Sequence, residues 1–373
     1  MRYNGGMEPM TRPQAQTIHY KPTGEVGLFD TQEKLDKLAA LGNPLQRLAE
    51  VVDFEMFRPR LEAAMLNTER KSAAGARPYD VVLLFKTVLL KRLYHLSDEQ
   101  AEYQTNDRLS FREFLGLSSG DRVPDSRTIW AFQERLGRLR LEEELFELFK
   151  SHLCALGLLV NEGRIVDASF VEVPRQRNTR QENEAIKAGQ GAQLWTGQPR
   201  KRSQKDTDAR WTKKNNTTHY GYKDHAKIDS ASKLIVSYEA TSAEVHDSQK
   251  LDALTGEEDR NQPLHADSAY ASEESEKMLK GKGITAQINE RAYRNKPLTD
   301  EQKAANKVKS KTRARVEHTF GFITNSMNGF FLRTIGLPRA RCAIGLINLA
   351  YNMCRLEQIV RLKLLPLKEL APA

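Results

Sequence analysis

Cysteine is scarce in this chain: Cys154, Cys342 and Cys354 are its only thiols in 373 residues. They show no paired metal-ligand spacing. Each sits in an apolar helical context, which predicts buried thiols in a reducing compartment. Long hydrophobic runs are missing too. "AIGLINLAYNMC" is short and carries two asparagines, so no segment is expected to span a bilayer. Met1 to Tyr20 has no apolar core segment, so a secretory signal is not expected there. Met7 and Met10 are alternative starts to Met1. No Walker A sequence, no tandem repeat, and no Ser/His/Asp or Cys/His arrangement suited to covalent catalysis is present. These absences point to a cytoplasmic protein without a membrane partner.

Positive charge is what the chain has in excess. Lys and Arg number 58 against 49 Asp and Glu, a formal charge of +9, and the pI is about 9.3. That balance favours a polyanionic partner, nucleic acid first and an anionic membrane surface second. Charge alone is equally compatible with a merely soluble basic protein. The 39% hydrophobic content is enough for a packed core.

The pattern along the chain changes twice. Residues 1–30 are rich in Gly, Pro and polar residues and read as a flexible arm. From 31 to 159 the periodicity is helical. "PYDVVLLFKTVLLKRLYHLS" reads as a largely buried helix. Ser97 with Gln100 fits a capping box, and Asp125 or Ser126 caps the stripe Ile129, Phe132, Leu136. Such short capped helices suit a helix-turn-helix or an ordinary bundle equally well. At Gly163 the period shifts to alternation: "GRIVDASFVEV" reads as a strand. A basic, glycine-containing stretch at about 174–218 reads as a mobile insertion or loop. A hairpin turning at Ser230–Ser232 follows, then a short helix, the strand "PLHAD", a helix closing at glycine, the strand "ITAQINE", a basic connection, the helix of Glu317, and a last helix from about Pro338 to Lys363. The predicted fold is mixed α+β/α/β: one sheet with antiparallel and parallel pairing, flanked by helices and preceded by an all-helical amino-terminal region. Residues 160–363 form the sheet domain and 364–373 a tail.

Three carboxylates stand out. Asp167 lies mid-strand on the face of Ile165, Ser169, Val171 and Val173, where aspartate is disfavoured unless it has a partner. Asp267 ends "PLHAD", at a strand carboxyl end where ligands collect in α/β sheets. Glu317 borders the stripe Val316, Phe320, Ile323 and is expected at the sheet margin, with Arg313 one turn earlier. Hard divalent cations prefer oxygen ligands, and two ions about 4 Å apart suit in-line phosphoryl transfer. Between Arg291 and Arg315 nine Lys/Arg face two Asp/Glu, a supply of cations for a phosphate backbone. Singly, such a carboxylate is more often a cap, a turn residue or an ion-pair partner, and such a basic run is usually a solvated face; only the combination in this order points to a shared site.

The motifs "GRIVDASFVEVP", "GYKDHAKID", "EVHDS", "HADSAY" and "RARVEHTFGFI" together resemble the bacterial insertion-sequence DDE transposases of the IS-five group. The resemblance covers most of the chain. It implies an RNase H-like catalytic core in which Asp167, Asp267 and Glu317 hold Mg2+ or Mn2+, two ions, with Arg313 orienting Glu317 or a phosphate. It implies cutting at terminal inverted repeats, joining to target DNA, a homo-oligomer on DNA, and a nucleoid-associated protein of the bacterial cytoplasm. The pattern Tyr-x2-Arg-x3-Glu-x6-Lys of the wider superfamily matches at Arg313 and Glu317 and departs at Ser310 and Thr324. The amino-terminal helices are then a DNA-binding domain. The DNA-contacting set expected is Lys223, Lys307, Lys309, Lys311 and Arg315, with Arg200, Lys201, Arg202 and Trp211 from the insertion. Trp195 and Trp211 suit either base stacking or anchoring of a loop. His225, His246, His265 and His318 are read as structural or supporting, Asp247 as a cap, and Tyr222 as a strand or backbone-contact residue. A nuclease that cuts without joining, and a catalytically inactive DNA-binding relative, are the alternatives.

Overall fold

A computed structural model describes residues 29–66, 77–118, 120–214, 216–292 and 297–368. The amino-terminal arm up to residue 28, Arg294 and Lys296 of the basic run, and residues 369–373 of the tail lie outside the described residues. The chain divides into two compact units, Met1–Gly42 and Asn43–Ala373. Of the first, the described part is helix α1 (Asp30–Ala40), which buries no residue.

The second unit begins with seven helices. These are α2 (Pro44–Val51), α3 (Arg58–Met65), α4 (Val81–Leu93), α5 (Asp98–Asp107), α6 (Leu109–Leu115), α7 (Ser126–Arg138) and α8 (Leu141–Ala155). Their starts follow from their caps. Asp80 accepts from Val82 and Leu83, Ser97 and Gln100 form the expected capping box, and Asp125 accepts from Thr128. Helix α4 is apolar nearly all round and is buried accordingly.

The sheet has six strands: β1 (Arg164–Glu172), β2 (Arg210–Lys214), β3 (Thr217–Asp229), β4 (Ile235–Ser242), β5 (Pro263–Ala266) and β6 (Thr285–Ile288). Strands β4, β3 and β1 pair antiparallel, and β5 and β6 extend the sheet in parallel from β1. Three antiparallel strands followed by two parallel ones is the RNase H-like order. Helices α11 (Leu251–Leu254) and α12 (Glu273–Gly281) connect the strands on one side. Val166, Leu264, Leu251, Leu254 and Leu279 share a core there. On the opposite face Ile165, Val171 and Val173 join a larger core with the amino-terminal helices and α15 (Leu337–Leu362). The alternation along β1 thus feeds two cores, and the helical region and the sheet share the larger one.

Helix α15 is pinned to the sheet by polar contacts as well as apolar ones. Asn352 accepts from the Ile235 N–H and donates to the Ile235 carbonyl, both at 2.8 Å. It thereby satisfies a buried strand residue that has no further ladder partner. A second anchor is ionic. Arg164, at the start of β1, bonds Asp229 at 2.6 Å and Asp259 at 3.1 Å. Lys227 bonds Asp259 at 2.5 Å. All four side chains are buried. Two cations against two anions leave no net charge in the interior, the condition under which such a network is tolerated.

The stretch at 174–218 departs from the loop expected of it. It contains α9 (Arg180–Lys187), α10 (Pro199–Ser203) and β2. Thr179 and Glu182 form a reciprocal capping box that starts α9, and Glu182 also accepts from Trp195 and Lys201 at 2.7 Å. Its low hydrophobicity masked a local polar framework. Cys154 is another correction: it is exposed, while Cys342 is buried and Cys354 half-buried.

Candidate active site

The parallel pairing of β1 with β5 assembles the site. Ile165 lies opposite His265; two residues further on, that register brings Asp167 across from Asp267 on one face of the sheet. Asp267 follows β5 directly and caps a short turn, its Oδ1 accepting from Ala269 N–H at 2.8 Å. Asp167 Oδ1 accepts from the Ala168 N–H at 2.8 Å, and only 14% of the side chain is exposed. Burial raises the Asp167 carboxyl above the ordinary value. The Ala168 N–H and Arg313 oppose this, and the charge of Asp267 adds to it. The two acids therefore sit within each other's field.

Helices α13 (Asp300–Arg313) and α14 (Arg315–Asn325) meet at Ala314 over this face. Arg313 Nη1 donates to Asp167 Oδ2 at 2.9 Å. Arginine thus pairs with the strand aspartate, where the expectation was that it orients Glu317 or a phosphate. Arg315 donates to the Ser230 carbonyl at 2.9 Å, and Lys309 to the Ile288 carbonyl at 2.9 Å. Val316, Thr319 and Ile323 are the buried stripe of α14. Glu317 is one position off that stripe, about 100° round the helix, and is exposed. The expectation that it faces the sheet margin is corrected accordingly. Among the described residues, no three His, Cys, Asp or Glu side chains lie together as a metal-binding group in this arrangement. The structure brings Asp167, Asp267 and Arg313 together and leaves Glu317 facing solvent.

Behind the two aspartates is a polar layer that the sequence reading did not assign. Tyr270 is fully buried and its hydroxyl has no partner. Burial raises its pKa, and Asp247, Asp167 and Asp267 add to that. Lys223 is buried, donating to Asp247 at 2.8 Å and to the Val245 carbonyl at 2.7 Å. It is a structural cation, a correction to its expected place on the DNA path. The 3-10 turn that follows is capped by His246, not by Asp247. His225 is buried, shares a hydrogen bond with Thr241 at 2.9 Å, and is held down to about 4 by burial. His265 is held below its ordinary value by burial, then by Arg315 and Lys309; His318 is exposed. Tyr222 is buried on Asp206 at 2.7 Å. The one signal that could have marked Tyr270 is its spacing, one turn past a strand-end aspartate.

The hairpin of β2 and β3 runs past β1. At Gly221 the backbone takes φ +147°, and a Cβ there would stand 2.3 Å from the Val171 carbonyl. Only glycine permits this close approach. His219 stacks on Phe170 at 4.1 Å beyond the bend. Lys214, at the end of β2, lowers the Asp167 pKa through its charge, so the hairpin delivers a cation toward the site. Trp211 is 45% exposed, lies against Tyr220 at 4.7 Å, and carries Arg175 at 5.7 Å. Trp195 anchors the insertion through Glu182. Lys307, Lys311, Arg200 and Arg202 are exposed; Lys201 and Lys309 are half-buried. Ser310, at the position of the superfamily's tyrosine, accepts from Asn289 at 2.9 Å, and the Thr324 hydroxyl bonds within its own helix.

Residues 159–353, more than half of the chain, match the family described as the transposase DDE domain. The chain belongs to the DDE transposase family. Residues 33–135 match a second family, described as a transposase domain (DUF772). Among solved structures the transposase is similar, at 13% identity and a TM-score of 0.43, to a cryo-EM synaptic complex of piggyBac transposase with hairpin DNA. The match covers 86% of this chain and 76% of that one. The family domain makes the transposase an enzyme of DNA transposition, and that domain spans both aspartates and the helix pair bearing Arg313 and Glu317.

Proposed function

We propose that this transposase cuts DNA at the terminal inverted repeats of an insertion sequence and joins the freed ends to target DNA. The motif order is what supports membership of the IS-five group. The observation that carries the mechanism is the juxtaposition of the half-buried Asp167 and Asp267, with desolvation and the charge of Asp267 working against ionisation of Asp167. Two carboxylates held close in a half-dry site are a donor set suited to a hard cation. Asp167 and Asp267 would hold the Mg2+ or Mn2+, with Glu317 joining from α14. When bound, such ions supply Lewis acidity toward the phosphoryl oxygens and an activated water.

The chain's own residues do the rest. The middle of β1 and the end of β5 fix Asp167 and Asp267 on a rigid sheet. Arg313 pairs with Asp167. Lys214, Lys307, Lys311 and Arg315 offer cations to the phosphate backbone around it. In the first reaction water attacks the phosphodiester, one P–O bond forms and one breaks, and a 3′-hydroxyl leaves. In the second that hydroxyl attacks a target phosphodiester, again exchanging one P–O bond for another. No protein nucleophile is consumed. A homo-oligomer is part of the proposal, because two ends must meet for joining.

Incubating the purified protein with its own element ends, target plasmid and Mg2+ or Mn2+ tests this reading. Cleaved ends together with joined products are expected. Cleavage without any joined product would leave a nuclease in its place, and neither product would leave a DNA-binding relative.

A further inference from the structure

A concavity of about 660 Å³ shares no lining residue with the carboxylate site. Its walls are the end of α4, His95, the first turn of α5, Trp130 of α7, and the segment Phe331–Ile335 leading to α15. Its charges are unevenly satisfied. Lys91 pairs with Asp98 and donates to Gln133 at 2.8 Å. Arg339 grips Glu134 through two bonds at 2.7 and 2.9 Å. Glu99 remains at the rim, exposed. Arg92 and Arg333, by contrast, make no hydrogen bond or ion pair with any described residue. Arg92 is the sharper case: its Nε and Nη2 are buried without a partner, a costly arrangement that calls for a ligand.

Both arginines line this one pocket together with His95. Burial, then the charges of Arg333 and Arg92, hold the His95 imidazole below its ordinary value. Two large aromatic side chains line the same opening in exposed positions: Trp130 at 52% and Phe331 at 37%. Unpaired guanidinium groups beside open aromatic faces suit a phosphate joined to a flat ring, and the volume lies in the range of small-ligand sites.

We propose that this pocket binds one nucleotide of a DNA strand, its phosphate on Arg92 and Arg333 and its base against Trp130. A free nucleotide would present the same chemistry. The transposase function favours DNA as the source, and the inference rests on that reading. A paired duplex hides its base faces, so Trp130 favours an unpaired nucleotide at or near a strand end.

The test uses the full chain and fluorescence anisotropy with two labelled DNAs: a blunt element-end duplex, and the same duplex with a short unpaired overhang. Arg333→Gln is expected to weaken overhang binding about tenfold, the size of one charge-assisted contact. It should also lower the slope of log affinity against log salt by about one. Trp130→Ala should weaken overhang binding and leave the blunt duplex near wild type. Arg92→Gln should follow Arg333→Gln; because Arg92 is half-buried, the exposed Arg333 variant decides if the other misfolds. Wild-type binding of both DNAs by Arg333→Gln and Trp130→Ala would overturn the proposal. Arg333-dependent binding of dAMP alone, with DNA affinity unchanged in the variants, would overturn DNA as the source. Asp167→Asn separates the two readings: lost cleavage with wild-type overhang binding concerns the carboxylate site only.

Discussion

Arg313→Gln probes what the Asp167 carboxylate is for. In the structure Arg313 Nη1 lies 2.9 Å from Asp167 Oδ2, with 24% and 14% of the two side chains exposed. Exposed ion pairs contribute about 0–1 kcal/mol. Breaking one side of a buried pair costs about 3–5 kcal/mol. This half-buried pair falls between them, at about 2 kcal/mol. Without divalent ions the variant should therefore melt a few degrees below the wild type. In the presence of a cation the sign reverses. The oxygen that an ion needs is the one the guanidinium occupies, so in the wild type the ion must displace it. Removing a competitor worth about 2 kcal/mol should tighten cation binding about thirtyfold. The assay is the melting temperature during a Mg2+ or Ca2+ titration without DNA, since an ion that binds only the folded state raises it. The half-maximal concentration should fall about thirtyfold in Arg313→Gln. If the variant needs as much cation as the wild type, or more, Asp167 Oδ2 is not the ion's ligand and the reasoning fails.

Three further outcomes follow from the geometry. Neutralising the exposed Lys307 and Lys311 to Gln should weaken element-end binding and lower the salt slope by about two, as two fewer counterions are released; an unchanged slope would take α13 off the DNA path. Asn352→Ala leaves the Ile235 N–H and carbonyl unpaired in the interior, at about 1–3 kcal/mol for each group. Denaturant unfolding should show a loss of about 3 kcal/mol, and a loss under 1 would mean that water replaces the side chain. Asp224 is buried, with Asn348 donating to it at 3.2 Å, and burial pushes its carboxyl up to about 7. Its folded pKa exceeds the unfolded one, so its contribution is complete below about 4 and is lost as pH rises to about 7. Asp224→Asn should remove that decline from the stability–pH curve, and a curve parallel to wild type would contradict the assignment.

Much of the fold was legible because local chemistry and tertiary structure agree. The alternation of "GRIVDASFVEV", the Ser97 box and the Asp125 cap each carry their signal within a few residues, and each element forms where expected. Asp167 stood out as a charge in mid-strand and Asp267 as an acid at a strand's carboxyl end, and the sheet register places them across from each other. What was not legible depends on direction around a helix or on partners far along the chain. Glu317 and Val316 differ by one position, yet one is exposed and the other buried. Lys223 looks like a surface cation until Asp247, 24 residues later, folds over it. Arg313 finds Asp167 across 146 residues. The insertion read as a loop because its order comes from polar contacts to Glu182 rather than from an apolar stripe.

The central claim is that Asp167, Asp267 and Glu317 act together on a phosphodiester. Its most direct measurement is element-end binding and Mg2+-dependent cleavage for Asp167→Asn, Asp267→Asn and Glu317→Gln, each alone. All three should bind the ends as the wild type does and yield no cleaved DNA. Cleavage retained by any one of them, and by the exposed Glu317→Gln above all, would contradict that residue's part in the chemistry.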